Sequence, residues 1–463
     1  ASISTGTTPS HHGIVGNTWY NRNTQSKVYS VYDATKQCVG CKQPNAIMAS
    51  AQELLATTFA DELYTSSKGL SKIFSVSLEA QSAILMAGHR PTGVYWLDEY
   101  TGNWVTSSYY AQQLPAWLQS FNNKRFAELY VDRTWNTLLP IQYYVESLSD
   151  TCNFELGIQN QTTFPYDIMK LRDATRPYKI LKQIPFGNTF TKDLAIEIID
   201  KEKLGKDDIT DFISIVFSAT QEIGNKFGAL SKEIEDTYVR LDYELMFFIN
   251  YLEETIGKDN FLLVLTSNHG VAYSSKYSMM KNAESGIFKH VESMYLIDKY
   301  LDTMYGNGDW ILHYNAQQIY LNHATIEKKH IPLEEIQRTA ADFILQLSGI
   351  QQVMIASDLQ KNSFCDNGME NKIDNSFYQG RSGDIFIQLK PGWNEQFTDV
   401  VAGHVSGYTY DSHVPLLWYG AKLLPETIKR TVYIPDITVT LCNIVNIPLP
   451  NMATGSIISE LFD

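Results

Sequence analysis

Phe261-Leu262-Leu263-Val264-Leu265-Thr266-Ser267-Asn268-His269 reads as a buried strand that runs into two polar residues at its C-terminal end. A strand ending in Asp-His is a common way to present two metal ligands to one site, and here the first of the pair is an amide. An Asn carbonyl is neutral, whereas zinc is held by His nitrogen, thiolate or carboxylate. The pair reads as a metal site altered so that it holds a metal badly.

Similar apolar runs recur along the chain. Phe212-Ile213-Ser214-Ile215-Val216-Phe217, Asp384-Ile385-Phe386-Ile387-Gln388-Leu389 and Val414-Pro415-Leu416-Leu417-Trp418-Tyr419 read as strands bounded by turn residues. Between them lie helical patterns. Ile234, Tyr238, Leu241, Leu245, Phe248 and Leu252 fall at three-to-four spacing and mark one face of a helix over 233–252. A second helix is expected after Pro332 and a third over 436–447. Alternating strands and helices predict an α/β fold with a central, mostly parallel sheet. Residues 95–207 differ: they are rich in Tyr, Trp and Asn and punctuated by Pro115, Pro140, Pro165, Pro177 and Pro185. They are expected to form a cap or insertion within a single domain spanning 1–463.

Composition narrows the function classes. At 463 residues and 44% hydrophobic, the chain can bury a large core. Its net charge is −14 and it has no Lys/Arg-rich block, which argues against nucleic acid or an anionic membrane surface as partner. No window offers the roughly 18 consecutive apolar residues needed to span a bilayer. The opening Ala1-Ser2-Ile3-Ser4-Thr5-Gly6 has neither a basic nor an apolar leader region. It reads as mid-domain sequence, so the true N-terminus is expected upstream.

The five cysteines (Cys38, Cys41, Cys152, Cys365 and Cys442) are too few for a disulfide scaffold. Cys38-Val39-Gly40-Cys41 reads as a local disulfide or two inert thiols, with redox or metal chemistry as the alternative. Cys442 reads as core. Asn160-Gln161-Thr162 matches a glycosylation sequon and is taken as chance.

Thr5-Gly6-Thr7-Thr8-Pro9-Ser10-His11-His12-Gly13-Ile14-Val15-Gly16-Asn17 resembles the segment that follows the nucleophile in the alkaline phosphatase superfamily. In particular it resembles the periplasmic alkaline phosphatases related to type I phosphodiesterases/nucleotide pyrophosphatases. The resemblance continues through Ser77-Leu78, Ala87-Gly88-His89, Tyr95-Trp96-Leu97-Asp98 and Thr101-Gly102-Asn103. It returns in Glu235-Asp236-Thr237-Tyr238-Val239-Arg240-Leu241-Asp242, Gly380-Arg381-Ser382-Gly383-Asp384 and His413-Val414-Pro415-Leu416-Leu417. It covers nearly the whole chain and implies a three-layer α/β/α sandwich, a Thr nucleophile and two zinc ions. It also implies a periplasmic or cell-surface location. The nucleophile would fall upstream of Ala1, and so would one metal-binding Asp.

Position by position, the resemblance implies an altered site. The Asn that donates to a phosphoryl oxygen is kept as Asn17. Where the phosphatases carry a Lys-x-Arg pair that clamps the phosphate dianion, this chain has Glu79-Ala80-Gln81, and an anion there would repel phosphate. Where the family reads Thr-Asp-x-x-Gly-His, this chain reads Thr220-Gln221-Glu222-Ile223-Gly224-Asn225. Asn268-His269 replaces the second Asp-His pair, and the last His is kept as His413. Of the ligand positions within the chain, Gln221, Asn225 and Asn268 are changed and only His269 and His413 remain. One His for each metal is below the three or four ligands zinc requires. The changes are coherent, because carboxylates without their metal would be buried and mutually repulsive, whereas amides can hydrogen-bond one another.

Any single change could be tolerated, with metal held through water, Glu222, Asp411 or His404. His269 and His413 otherwise read as hydrogen-bonded polar residues, and His12, His89 and His404 as imidazoles bonded to backbone. Two function classes follow. One is a catalytically degenerate phosphatase homologue that binds a protein partner or ligand as part of an extracytoplasmic assembly, with no cofactor and no intact catalytic residue. The other is a metal-dependent phosphodiesterase or phosphatase with a rearranged or single-zinc site. The aromatic-rich composition, with 28 Tyr, 8 Trp and 21 Phe, is compatible with an interaction role.

Overall fold

Strand Ile73–Ser77 is buried at every position, and strand Gly93–Leu97 beside it likewise. Strands covered on both faces belong to the interior of an α/β sheet. The computed structural model describes all residues except 44–46, 362–367, 397–399, 402, 422 and 463, so Cys365 lies outside the described residues. The chain divides into two units, the first comprising Ala1–Thr8, Val31–Asn268 and Pro415–Asp463 and the second Pro9–Ser30 and His269–Val414.

The first unit is built on a five-stranded sheet. Its strands are β1 (Cys38–Val39), β2 (Ile73–Ser77), β3 (Gly93–Leu97), β4 (Trp104–Ser107) and β5 (Phe212–Val216), in the order β1-β4-β3-β2-β5. β2 pairs in parallel with β3 and with β5, while β4 and β1 extend the β3 flank antiparallel. The fold is α/β, and its sheet is mixed around this parallel centre. Helices α1 (Ala80–Ala87), α2 (Phe186–Glu202), α3 (Ala219–Phe227) and α4 (Lys232–Thr255) belong to the same unit. α1 follows β2 directly and α3 follows β5, so both helices begin at the same edge of the sheet.

Residues 95–207 lie wholly in this unit and supply most of β3, all of β4, and α2. Trp104 packs on Phe190 of α2 with ring centroids 4.8 Å apart, inside a core that also holds Leu78, Leu181, Leu194 and Ile198. Gly187 makes a close approach possible, since a Cβ there would stand 2.0 Å from the Leu181 carbonyl oxygen and 2.7 Å from Leu78 Cδ1. The start of α2 is thereby pressed against the exit of β2.

Strand Leu262–Thr266 pairs antiparallel with Leu416–Gly420 in a two-stranded ladder of the first unit. Its residues are half-buried rather than buried as its apolar run predicts, because only one strand flanks it. Cys38 and Cys41 are disulfide-bonded, and Cys442 is buried in the helix Ile434–Ile444.

The second unit carries a four-stranded antiparallel sheet formed by Ile311–Asn315, Gln318–Leu321, Ile385–Leu389 and Ile350–Ile355. Ile336 and Ile344 of the helix Leu333–Ile344 and Ile297 of His290–Tyr305 join its core with Trp310 and Ile319. Buried Asp384 ties this unit together, accepting from Arg22 Nη2 at 2.7 Å, from the Leu321 amide at 2.7 Å and pairing with His323 Nε2 at 2.8 Å.

Candidate functional site

In the first unit, the C-terminal edge of the parallel strands gathers four of the positions singled out from sequence. β2 ends at Ser77, and Glu79 is the N-cap of α1, with Gln81 in the first turn. β5 ends at Val216, and α3 carries Gln221 and Asn225 one turn apart, hence on one face. Ser77 Oγ and Ser218 Oγ, 3.5 Å apart, link the two exits. Open α/β sheets place their ligand sites at this edge.

The charge arrangement at this edge centres on Lys182, in the 3₁₀ turn Lys179–Gln183. Its Nζ lies 2.8 Å from Glu79 Oε1 and 2.7 Å from Glu99 Oε1, and Glu99 Oε2 also meets Arg176 Nη1 at 3.2 Å. Lys182 is buried, which opposes its charge, but Glu79 and Glu99 outweigh burial and hold the ammonium pKa above its ordinary value. Glu222 is shifted upward, by burial first and by Glu79 second. Asn188 donates to Thr220 Oγ1 at 3.0 Å, and its buried Oδ1 has no hydrogen-bond partner among the described residues. The edge is therefore a neutralised cage, with Lys182 committed to two carboxylates.

In the second unit, His269 lies flat on His404, with centroids 3.7 Å apart and planes 6° from parallel. His269 Nδ1 is 2.7 Å from the Gly270 carbonyl. Burial lowers the pKa of both imidazoles, and His404, also facing His269, falls to about 4. Asp411 Oδ2 accepts from the Ser406 amide at 3.0 Å and hydroxyl at 2.6 Å, while its backbone oxygen accepts from Gly270 N at 2.7 Å. His413 follows the short helix Thr409–Ser412 and is exposed, as are Asn268 in the first unit and Asn17 in the second. His404, expected to bond backbone, instead stacks on His269. His12 and His89 meet that expectation: His12 Nδ1 accepts from Ile14 N at 3.1 Å, and His89 Nε2 lies 3.0 Å from the Leu54 carbonyl.

Comparison with known proteins gives this geometry its family. The family model for type I phosphodiesterase / nucleotide pyrophosphatase matches residues 1–400. The chain belongs to that family. It is 34% identical to the alkaline phosphatase PafA of Elizabethkingia meningoseptica, covering 99% of this chain and 84% of that protein. Identity to the alkaline phosphatase PhoV of Synechococcus elongatus is 33%, over 100% of this chain and 83% of the relative. The crystal structure of wild-type PafA superposes with a TM-score of 0.94 at 33% identity, covering 100% of this chain and 88% of that one. Membership of the alkaline phosphatase superfamily and the α/β fold are thus established for this chain.

The resemblance implies two zincs, and at two of the implied ligand positions the side chains are amides. Gln221 and Asn225 present neutral amides from one helix face, where zinc takes carboxylate, thiolate or imidazole. Among the described residues no group of three or more His, Cys, Asp or Glu is arranged to hold a metal ion. Sequence reading missed Lys182 and Glu99 because both lie in the proline-punctuated stretch assigned to a cap. The available signal was the pairing of Glu79, a carboxylate in a cation's place, with some cation elsewhere in the chain.

Proposed function

We propose that this chain keeps the fold of the type I phosphodiesterase family without its two-zinc hydrolysis of phosphomonoesters. It would act by binding a protein or ligand as a component of an extracytoplasmic assembly. The observation that carries this reading is the replacement of ligands by amides at Gln221, Asn225 and Asn268 within well-matched flanks. The Lys182 cage supports it, because a cation already held by Glu79 and Glu99 has little charge left to offer a phosphate dianion. Metal charge and clamp cations supply most of the stabilisation in phosphoryl transfer, so losing both removes the catalytic terms rather than trimming them. The extracytoplasmic placement rests on the resemblance. Among the described residues no helix is long and apolar enough to cross a membrane.

A second reading is favoured by the comparisons themselves: the relatives PafA and PhoV are named alkaline phosphatases. In that reading the chain is a metal-dependent phosphodiesterase or phosphatase with a rearranged or single-metal site and a nucleophile upstream of Ala1. Phosphodiesters carry less charge than monoesters and do not need the Lys-x-Arg clamp. Comparison backs this hydrolase more strongly than a scaffold; the side chains at the site favour the first. Assay of the full-length protein against a phosphomonoester and a phosphodiester separates them. The first reading expects background turnover on both, whereas robust hydrolysis abolished by His269→Ala establishes the second.

A further inference from the structure

The first unit also has a cavity of about 470 Å³ lined by Arg133, Thr134, Asn136, Thr137, Phe186 and Arg240. Two guanidinium groups share one aromatic ring there: Arg133 and Arg240 each stand 5.5 Å from the Phe186 centroid, and Arg133 also lies 5.0 Å from the Tyr130 centroid. Stacking on rings fixes the plane of a guanidinium and leaves its N–H edges free to point outward. The two arginines are not equivalent. Arg240 Nε donates to Asp236 Oδ2 at 2.6 Å and its Nη2 to the Asn136 carbonyl at 2.5 Å. Asp236 is fully buried and also accepts from Trp135 Nε1, the Leu138 amide and the Tyr144 hydroxyl, so it is saturated by this frame. Arg133 makes no ion pair among the described residues. The cavity is therefore lined by one guanidinium that makes no ion pair among the described residues.

We propose that this cavity binds the phosphate group of a small phosphorylated ligand, with Arg133 as the bidentate donor. Arg240 is the frame that orders the Phe186 face, and the Thr134 and Thr137 hydroxyls complete the rim. A planar fork offering paired N–H donors suits a tetrahedral oxyanion bearing two negative charges, and the volume suits a ligand of nucleotide size or smaller. None of the lining residues belongs to the Glu79–Lys182 edge, and the proposal rests on neither reading of that edge.

The experiment is isothermal titration of the full-length protein with inorganic phosphate and phenyl phosphate, alongside benzoate as a monoanion bearing the same ring. Arg133 is exposed, so Arg133→Gln leaves the fold intact; the unchanged thermal melt of the variant is the control. The proposal expects saturable binding of both phosphates, weakened about ten-fold or more in Arg133→Gln and less in Arg133→Lys, with benzoate about ten-fold weaker on the native protein. Phosphate should also protect Arg133 from modification by phenylglyoxal, read by peptide mass spectrometry. Absence of phosphate binding, affinity unchanged in Arg133→Gln, benzoate binding as tightly as phenyl phosphate, or no protection of Arg133 would each overturn it.

Discussion

Lys182 Nζ lies 2.8 Å from Oε1 of Glu79, the residue that stands where the resemblance places the first cation of a phosphate clamp. The charge at that position is thus reversed, and the reversed charge is used internally. A lysine pulled from solvent is stable only when its partners repay its desolvation, and here Glu79 and Glu99 do so together.

Removing the cation should be costly. In Lys182→Met, Glu79 and Glu99 lose their shared partner and face one another near Glu222. A loss of about 2 kcal/mol is expected, discounted because Glu79 is partly solvated. Glu79→Gln should cost less than Lys182→Met, since Lys182 keeps Glu99. Urea unfolding of both variants checks the order, and equal losses would contradict the shared-cage account.

A pH test follows from His89, whose Nδ1 is 2.8 Å from Asp61 Oδ2 and whose Nε2 is 3.0 Å from the Leu54 carbonyl. The hydrogen bond that the imidazole donates to Asp61 raises its pKa above the ordinary 6.5 despite burial. A raised value in the folded state means that the stabilisation is full below pH 6.5 and is lost as pH climbs through the folded value. The stability gap between the native protein and His89→Gln should therefore shrink from about pH 5.5 to pH 9. A gap that widens with pH would refute the assignment.

Glu155 tests the opposite kind of residue. Burial, then Glu233 and Asp150, push its pKa up to about 9, and burial lifts Glu233 to about 7 while the Tyr166 hydroxyl donates to it at 2.6 Å. Between the ordinary carboxyl value of 4.5 and about 9, the folded chain holds protons that the unfolded chain has released. Stability therefore falls as pH rises through that window. Glu155→Gln should approach the native protein near pH 5 and exceed it in stability near pH 9, as read by thermal melts at each pH.

The elements were legible where a single segment carries its own signal. The helix predicted over 233–252 is Lys232–Thr255, and the strand predicted over 212–217 is Phe212–Val216, because apolar period and turn residues are local properties. Pairing is not local. Leu262–Thr266 reads as a strand of the central sheet but finds its partner in Leu416–Gly420, which no period in the run encodes. At the site, Glu79, Gln81, Gln221 and Asn225 were legible as substituted positions from their flanks, and the structure puts them at one sheet edge. The Lys182 cage and the His269–His404 stack could not, since each depends on chain approaches set by tertiary packing.

Chelation should leave the protein's stability unchanged. Where metal binding is part of the folding free energy, removing the ion lowers the melting temperature by many degrees. With amides at Gln221, Asn225 and Asn268, thermal melts with and without EDTA should coincide; a large drop would reveal a structural metal.

The proposal that this family member lacks the two-zinc site stands or falls on zinc content. The measurement is elemental analysis of the full-length protein after exhaustive dialysis. Well under one zinc per chain is expected. One or two stoichiometric zincs, lost on mutating His269 or His413 to Ala, would contradict it and favour the metal-dependent reading.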